Sequence, residues 1–527
     1  MRSTTLARLP ELPARPPEVV GSLPAPFARS LVDHAAGSVA WWRDGWVASV
    51  TTYGGRDLAH TDGTRWTPVP AQGWARRPLP GDDGTSLACY LHAADADTGR
   101  VAVLGDGGWR TVRDDVEMTA LTDFDGARTA VRGPDGSGSA LDGSGRTVGV
   151  LDGALVCHDG SAPVWSVALP EGATVTLVRP SPSRERVLVV VRAGSQFRTT
   201  VLRTADGRST GLAPLRETLQ PVAAWLDEDR VVLVRETWPA LEPVVWDVCT
   251  GRLETVWPSG TAATTRSLAR SPHGEIVHAT SAVDVPRRLF RLDDAPPPPP
   301  AHVRTVVLHH GDQLVPCVVL EPASRPRATC LVFPGGPHEP VWAEYAPLAD
   351  VLVELGWRVV KVNVRSSGIR EGRFRPHRLR YGVDDVADAC HAAQALGVGP
   401  VVTLGMSYGG YIASSCAERV PGVVGAVVLA GFLSLSDIAG TRHDGVRRFT
   451  AAAFADRHDD HRTLTVPHFV AHGELDRRIP VDALERHARA GPVAVHVLSG
   501  EGHGIHTDAA ARAVYPALLD WMERRIP

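Results

Sequence analysis

The sequence has few of the features that would place it at a membrane or on a nucleic acid. Its 527 residues contain 55 Lys and Arg against 59 Asp and Glu, a formal charge of −4, and the basic residues are scattered instead of forming a basic face. The sequence contains a single lysine, Lys361. No run of about 18 apolar residues is free of charge, which argues against a membrane-spanning helix. We therefore expect neither a nucleic-acid partner nor a membrane partner.

Cysteine is also sparse, and its pattern argues against a disulfide framework. The seven cysteines lie singly, an odd number without C-x-x-C spacing: Cys89, Cys157, Cys249, Cys317, Cys330, Cys390 and Cys416. Prolines and acidic residues interrupt residues 1–20, which therefore lack the apolar segment of a secretion signal. Together these features favour a reduced, cytoplasmic location.

No cofactor or metal motif stands out. The cluster His458-Asp459-Asp460-His461 has a spacing that matches none of the common zinc motifs, and we interpret it as a solvated loop. The pair His309-His310 falls at a predicted turn and needs no function. We therefore expect neither a cofactor nor a metal.

The length and one proline run predict two domains. A chain of 527 residues exceeds what one hydrophobic core usually holds. Five consecutive prolines at 296–300 favour a stiff polyproline II segment, which cannot belong to a helix or a central strand. We interpret this run as the linker that ends an N-terminal domain, residues 1–300, and precedes a C-terminal domain, residues 301–527.

The N-terminal half has the pattern of an all-β repeat. Short β-branched and aromatic runs alternate with Gly, Asp and Thr. The run at 186–191 and the turn Asp206-Gly207-Arg208 recur 44 residues later at 230–234 and Thr250-Gly251-Arg252, and a weaker third copy begins near Glu275. A period of about 40–50 residues predicts a β-propeller of six or seven blades, with a pair of β-sandwiches as the alternative.

After the linker, strands alternate with helices, which predicts an α/β-hydrolase domain with a mostly parallel, doubly wound sheet. One strand, at 401–404, runs directly into Gly405-Met406-Ser407-Tyr408-Gly409 and is followed by a helical stretch. This is the G-x-S-x-G turn that presents a nucleophile at a helix N-terminus. Ser407 is the predicted nucleophile, and the N–H of Tyr408 is a predicted oxyanion donor.

A serine hydroxyl needs a base, and the base needs an anion to orient it. In this fold class the acid and then the histidine follow the serine. Two later apolar runs, at 466–471 and 493–498, lead into loops that carry Asp476 and His503. We predict Asp476 to be the orienting acid and His503 the general base.

Other residues on and near these loops are alternatives. His506 is an alternative base, and Glu474 is the first alternative acid, followed by Asp482 and Asp508. His472 shares the loop of the predicted acid but comes too early in the chain order, so we interpret it as a structural loop residue.

The second oxyanion donor is expected from the loop Pro334-Gly335-Gly336-Pro337-His338, which follows an earlier strand. Glycines let backbone N–H groups approach a ligand closely. Gly335 is the first candidate and Gly336 the second.

Six segments together resemble the prolyl oligopeptidase family of serine peptidases, in particular its acylaminoacyl-peptidase and dipeptidyl-peptidase branches. They are Pro334-Gly335-Gly336-Pro337-His338, Asn363-Val364-Arg365-Ser366-Ser367-Gly368, Asp384-Asp385, Gly405-Met406-Ser407-Tyr408-Gly409-Gly410, His472-Gly473-Glu474-Leu475-Asp476 and Gly500-Glu501-Gly502-His503-Gly504. The resemblance covers both halves of the chain. It implies an active site that faces a propeller across a large cavity, so that only short peptides reach it.

The chain departs from this family at two places. The family usually has His or Tyr where this chain has Pro334, which donates no hydrogen bond, so the oxyanion hole would rely on backbone groups. Residues 432–465 are rich in Arg, His and Asp where the family commonly has an aromatic substrate-pocket region.

The sequence therefore predicts a serine hydrolase that cleaves short peptides through an acyl-enzyme. An esterase, amidase or acyltransferase of specialised metabolism, using the same triad on a small acyl or amide substrate, is the first alternative. A propeller-based binding protein with an inactive hydrolase is the second. The sequence leaves open the scissile group, the choice between exo- and endo-cleavage, and the oligomeric state, a homo-oligomer included.

Overall fold

The structure is a computed structural model of the chain. It describes residues 35–526 except for 53–54, 63–64, 72, 82, 84, 93–97, 118–120, 125–128, 132–139, 142–145, 152, 160–161, 194–195, 214–218, 259, 370, 375, 377–378, 439 and 455–462. By their contacts these residues divide into two units, one ending at Pro298 and the other beginning at Pro299. Among the helices of the described ranges, none has both the length and the apolar character that a membrane crossing requires.

The N-terminal unit consists of strands, and in the described residues their pairings are antiparallel except for the one between the strands of Leu241 and Thr264. In chain order these are β1 (Ala35–Trp42), β2 (Gly45–Thr52), β3 (Gly55–Thr61), β4 (Trp66–Val69), β5 (Trp74–Pro80), β6 (Leu87–His92), β7 (Thr98–Gly105), β8 (Gly108–Glu117), β9 (Leu121–Phe124), β10 (Thr129–Val131), β11 (Ala140–Leu141), β12 (Thr147–Leu151), β13 (Ala154–Asp159), β14 (Ala162–Ala168), β15 (Thr174–Pro180), β16 (Arg186–Ala193), β17 (Gln196–Arg203), β18 (Ser209–Leu212), β19 (Leu219–Trp225), β20 (Arg230–Thr237), β21 (Ala240–Asp247), β22 (Leu253–Thr255), β23 (Ala263–Arg270), β24 (Ile276–Ala282) and β25 (Val285–Arg291).

Most of these strands form four-stranded sheets in which sequence neighbours pair. The four-stranded sheets are β1 to β4, β5 to β8, β11 to β14 and β15 to β18; β9 pairs with β10, and β19 to β25 join in one seven-stranded sheet. The sheets stack on one another through apolar faces. Leu188 of β16 belongs to the same buried cluster as Trp246 of β21. Val39 of β1 belongs to the same cluster as Val277 of β24, so the first sheet also meets the last strands of the unit.

Sheets of four antiparallel strands that stack in sequence, with the first against the last, form a propeller-like region, because each sheet buries its faces only against its neighbours. The propeller-like character predicted from the repeat is confirmed. The number of blades, six or seven, stays a prediction, because residues 118–145 are described only in part.

The 44-residue repeat corresponds to equivalent strands of two sheets. The hairpins β16–β17 and β20–β21 are followed by the same type of turn. In the first turn the N–H of Gly207 donates to the carbonyl of Arg203, and in the second the N–H of Gly251 donates to the carbonyl of Asp247, both at 2.9 Å. The two glycines have φ values of 69° and 75°. This left-handed conformation explains why glycine recurs at this point of the repeat.

The C-terminal unit contains one eight-stranded sheet. Its strands are β26 (Val303–His310), β27 (Gln313–Leu320), β28 (Ala328–Phe333), β29 (Trp357–Val362), β30 (Val401–Met406), β31 (Val423–Leu429), β32 (His468–Gly473) and β33 (Val493–Leu498). The spatial order is β26-β27-β29-β28-β30-β31-β32-β33. Only the β26–β27 and β27–β29 pairs are antiparallel, as expected for a hairpin that precedes a parallel sheet.

Six α-helices accompany this sheet in the described residues. They are α1 (Pro347–Glu354), α2 (Asp384–Leu396), α3 (Tyr408–Ala417), α4 (Asp444–Ala453), α5 (Val481–Ala490) and α6 (Asp508–Glu523). Phe469 of β32 packs on Trp521 of α6, with ring centroids 5.9 Å apart. The next residue, Val470, belongs to a buried cluster with Leu484 of α5. Because successive side chains of a strand point to opposite faces, helices cover both faces of the sheet.

Candidate active site

Ser407 lies on a tight turn between β30 and α3, with φ 54° and ψ −123°. A β-carbon on Gly405 would lie 2.0 Å from the carbonyl oxygen of Gly409, and one on Gly409 would lie 2.3 Å from the carbonyl oxygen of Pro334. Close backbone packing therefore requires both glycines of the motif. The turn holds Ser407 in a sparsely populated conformation at the N-terminus of α3, where the helix dipole favours negative charge.

The side chain of His503 bridges Ser407 and Asp476. Its Nε2 lies 3.0 Å from Ser407 Oγ, and its Nδ1 lies 2.7 Å from Asp476 Oδ2. The three residues follow β30, β32 and β33, whose parallel arrangement brings their carboxyl ends to one edge of the sheet. With Nδ1 donating to the carboxylate, Nε2 is free to accept the proton of Ser407, so this geometry allows general-base activation of the hydroxyl.

Asp476 is held as an anion by donors on both oxygens. Its Oδ1 accepts the backbone N–H groups of Arg478 and Ile479 at 2.8 and 3.1 Å, and its side chain is fully buried. Burial alone would raise the pKa of Asp476, but hydrogen bonds from His472 and His503 outweigh it and hold the pKa well below its usual value. The Asp476 carboxylate is therefore ionised and can serve as the counter-charge when the imidazole of His503 takes up a proton.

His472 is closer to the site than the sequence suggested. It is the last residue but one of β32 and is fully buried. Its Nε2 lies 3.2 Å from Asp476 Oδ2 and 2.9 Å from the carbonyl oxygen of Ile479. Because both partners are acceptors, Nε2 carries the proton and donates. His472 thus helps to orient the carboxylate. Its sequence position four residues before Asp476 gave no sign of this contact.

The alternative acids and the alternative base lie elsewhere. Glu474 accepts hydrogen bonds from Ser499 Oγ and the N–H of Gly500, at 2.8 and 3.4 Å. Asp482 lies in the first turn of α5, and the side chain of Asp508 falls outside the described part of the chain. His506 contributes its backbone N–H to a bond with Glu501; the imidazole that meets Ser407 is that of His503.

Glu501 was not assigned a role from the sequence, yet it fixes the loop that carries His503. Its buried carboxylate accepts the N–H of His506 at 3.0 Å and the N–H and hydroxyl of Thr507 at 2.8 and 2.5 Å. Charge-assisted bonds of this kind are short and strong. They span the loop on the C-terminal side of the imidazole and thereby limit its movement.

The loop after β28 lies directly over the Ser407 turn. A β-carbon on Gly335 would lie 3.8 Å from Ser407 Cβ and 3.6 Å from the carbonyl oxygen of Met406. Gly336, with φ 110°, lines the same cavity as Ser407 and Tyr408. The structure thus brings Gly335, Gly336 and Tyr408 to the nucleophile, and their function as oxyanion donors stays a prediction.

The phenol of Tyr408 anchors this residue on the side away from its backbone N–H. Its hydroxyl donates to Asp385 Oδ2 at 2.5 Å and accepts the N–H of Gly382 at 2.6 Å. Asp385 also accepts the N–H of Ser366 at 2.9 Å. Burial raises the pKa of Asp385 even though these bonds act in the opposite direction. The network ties α3 to the first turn of α2.

Tyr408→Phe should therefore affect stability more than chemistry. It removes one hydrogen bond from the buried Asp385 carboxylate and one from the N–H of Gly382, which keeps only its 3.1 Å bond to Asp385 Oδ2; this loss should cost about 1–3 kcal/mol of unfolding free energy. The backbone N–H of residue 408 is retained, so kcat should fall less than about tenfold. Denaturant unfolding and steady-state kinetics check both values.

A double-mutant cycle with Asp385→Asn should then give a non-additive coupling between the two side chains. Unchanged stability, or a loss of kcat near a thousandfold in Tyr408→Phe, would contradict a purely structural role of the phenol.

A cavity of about 380 Å³ opens beside Ser407. Its apolar wall comes from Tyr408, Phe432, Ile438, Val446, Phe449, Phe454 and Ile479. The expectation that residues 432–465 lack an aromatic pocket region was wrong. Phe449 lies on the same face of α4 as Val446, three residues earlier, and Phe454 directly follows the helix, so both rings line the cavity although the segment as a whole is polar.

The described residues contain no group of three or more His, Cys, Asp or Glu arranged to hold a metal ion. The predicted solvated cluster at 458–461 lies outside the described residues. All seven cysteines are free.

A doubly wound sheet that carries a serine on its strand-to-helix turn and supplies histidine and carboxylate from later loops defines an α/β-hydrolase domain. Comparison with known families specifies it further. Residues 345–526, which include Ser407, Asp476 and His503, match the prolyl oligopeptidase family. The C-terminal part of the chain is a prolyl oligopeptidase family domain, a hydrolase domain of a peptidase family, as its motifs predicted.

Solved structures resemble the chain over nearly its whole length. A puromycin hydrolase mutant complexed with PGG superimposes with a TM-score of 0.74 at 16% identity, covering 98% of this chain and 97% of that one. The acylaminoacyl peptidase of Pyrococcus horikoshii gives a TM-score of 0.62 at 12% identity, covering 94% and 97%. A prolyl endopeptidase gives 0.72 at 14% identity, covering 97% and 93%. At these identities the likeness concerns the fold. A comparison with curated protein sequences found no match.

Proposed function

We propose that the chain is a serine peptidase that cleaves short peptides through an acyl-enzyme. The observation that carries this proposal is the position of His503, 3.0 Å from Ser407 Oγ and 2.7 Å from Asp476 Oδ2. The match of residues 345–526 to a peptidase family supports the same reaction.

In the first step Ser407 Oγ attacks the substrate carbonyl while His503 Nε2 takes its proton. Asp476 accepts the hydrogen bond of Nδ1–H and stabilises the imidazolium that forms. The carbon–nitrogen bond then breaks, the leaving amine receives the proton from His503, and the acyl group stays on Ser407 as an ester. Water, deprotonated by the same imidazole, attacks this ester; the bond to Ser407 Oγ breaks, Oγ takes the proton back from His503, and the acid is released.

The tetrahedral intermediates carry a negative oxygen that needs donors. The N–H of Tyr408, in the first turn of α3, and that of Gly335 are the proposed pair, with Gly336 as the alternative to Gly335. The close approach of Gly335 to Ser407 supports this choice, since a β-carbon there would lie 3.8 Å from Ser407 Cβ. Each such donor contributes roughly 10²- to 10³-fold in kcat in comparable enzymes.

We also propose that the propeller-like unit restricts substrate size. The support is the resemblance to the prolyl oligopeptidase family and the likeness in fold over both units. The cytoplasmic location rests on the cysteine pattern and stays a prediction, as does the oligomeric state.

A second candidate is an amidase or esterase that uses the same three residues on a non-peptide substrate. The resemblance in fold to a puromycin hydrolase favours testing this candidate, since that protein's substrate is a small molecule. An acyltransferase belongs to the same class of alternatives.

A substrate panel separates the candidates. The wild type and Ser407→Ala should be compared on peptides of two to thirty residues, on puromycin and on acyl esters of matched acyl group, with products identified by mass spectrometry. The peptidase proposal predicts cleavage of the short peptides and little cleavage of the long ones, all of it lost in Ser407→Ala. Turnover of esters or puromycin with every peptide left intact would favour the second candidate.

A further inference from the structure

Glu339 lies beside the nucleophile in the cavity already described. It belongs to the loop after β28, and it lines the cavity together with Ser407 and Tyr408. A β-carbon on Gly335 would lie 3.0 Å from Glu339 Oε2 and 3.8 Å from Ser407 Cβ. The carboxylate and the nucleophile therefore flank the same point of the predicted oxyanion loop.

The Glu339 carboxylate differs from the other carboxylates near Ser407, because no residue of the described ranges binds it. Asp476 is bound by His503, Asp385 by Tyr408 and Glu501 by Thr507. Glu339 forms no hydrogen bond or ion pair with any residue of the described ranges, and it is the only acidic residue among the described residues that line the cavity. It is exposed to the cavity mouth, so a ligand can reach it without any rearrangement of the fold.

The rest of the cavity suits one apolar residue of a substrate. Phe432, Phe449 and Phe454 contribute aromatic surface, and the volume of about 380 Å³ is near the lower end of small-molecule sites. A side chain bound there would place its own carbonyl at Ser407. The basic groups among the described residues of the wall are His338, His443 and Arg478, which do not form an ion pair with Glu339.

The position of the α-nitrogen follows from covalent geometry. It is two bonds from the carbonyl carbon that Ser407 attacks, so in any bound residue it lies close to the nucleophile. In a residue within a chain this nitrogen is a neutral amide and carries the preceding residue. In an N-terminal residue it is an ammonium group, which a carboxylate binds through a strong, charge-assisted hydrogen bond.

We propose that Glu339 binds the free α-ammonium group of the residue seated in the cavity, so that the enzyme removes one apolar or aromatic residue from the amino end of a peptide or of an aminoacyl amide. This inference rests on the proposed function and adds exo-cleavage to it. The reaction is the hydrolysis described above: the first amide bond breaks, Ser407 carries the aminoacyl ester, and water releases the amino acid.

The test uses two substrates that differ only at the amine, phenylalanine p-nitroanilide and its N-acetyl derivative. For the wild type, kcat/KM should be roughly 10- to 100-fold higher on the free amine. Glu339→Gln, which keeps the size and removes the charge, should abolish this preference by lowering kcat/KM on the free amine alone. Asp312→Asn, which changes an exposed carboxylate on the β26–β27 turn that does not line the cavity, should leave both values unchanged.

The pH dependence gives a second readout. The wild-type preference should fall as the pH rises past about 8, where the α-amine loses its proton, and Glu339→Gln should show no such fall. An equal effect of Glu339→Gln on both substrates, or a wild type that prefers the acetylated one, overturns the proposal.

The outcomes also separate this proposal from the proposed function. A wild type that reacts with a fluorophosphonate probe at Ser407 and cleaves the acetylated substrate at least as well as the free amine keeps the serine hydrolase and removes the role of Glu339. A wild type that neither reacts with the probe nor hydrolyses either substrate overturns both.

Discussion

His503→Ala is expected to lower kcat/KM by a factor on the order of 10⁵ to 10⁶. The imidazole is the group within 3.0 Å of Ser407 Oγ that can take its proton. Without it the hydroxyl must lose its proton to water, and Asp476 then loses the hydrogen bond from His503 and keeps the one from His472. Only binding and the oxyanion donors would still accelerate the reaction.

The matched control is His506→Ala, three residues further along the same loop. It keeps the backbone N–H that donates to Glu501, and its kcat/KM should stay within about tenfold of the wild type. Thermal unfolding of both variants shows whether the loop itself survives. A His503→Ala enzyme with several per cent of wild-type activity, or a His506→Ala enzyme that is equally inactive, would overturn the assignment of the base.

Asp476→Asn is expected to lower kcat/KM on the order of 10⁴-fold. The bond pattern gives the reason. Two backbone N–H groups point at Oδ1, so the amide oxygen of the asparagine takes that position. The NH₂ group then faces His503 Nδ1, which can only accept from it, and the ring proton moves to Nε2. The imidazole would present a donor to Ser407 instead of an acceptor.

Glu474→Gln is the control for this prediction, because Glu474 is the first alternative acid and contacts Ser499 and Gly500. Its kcat/KM should remain within a few-fold of the wild type. Comparable losses in the two variants, measured with the same substrate, would mean that the acid has been misassigned.

Asp476→Asn should also change the response of stability to acid. The pKa of Asp476 is lowered in the folded protein, so its carboxylate contributes stability above the unfolded pKa, about 3.9, and this contribution is lost as the pH falls below it. The deficit of the variant in unfolding free energy should be full at neutral pH and shrink below about pH 4.

The parts of the fold and site that were predictable depend on local sequence. The G-x-S-x-G turn needs glycines because of contacts with its own neighbours, and those glycines are visible in the sequence. Asp476 and His503 follow from chain order and from apolar strands that end at one edge of a sheet. The 44-residue spacing likewise marks equivalent strands, because each sheet of the propeller-like unit repeats the same hairpin and turn.

The parts that were missed depend on packing between distant segments. His472 and Glu501 orient their neighbours through the way two loops fold back, which no spacing reveals. Phe449 and Phe454 were overlooked because the mean composition of their segment is polar, although one face of α4 is apolar. The position of Glu339 next to Ser407 depends on how the loop after β28 crosses the strand-to-helix turn.

The proposed reaction requires that the Ser407 hydroxyl is an activated nucleophile in this protein. The most direct measurement is mass spectrometry of the intact protein and its peptides after reaction with a fluorophosphonate probe at neutral pH. We expect one adduct per chain, located on Ser407, and none in Ser407→Ala or in the unfolded wild type. A folded wild type that stays unmodified, or an adduct on another residue, would contradict it.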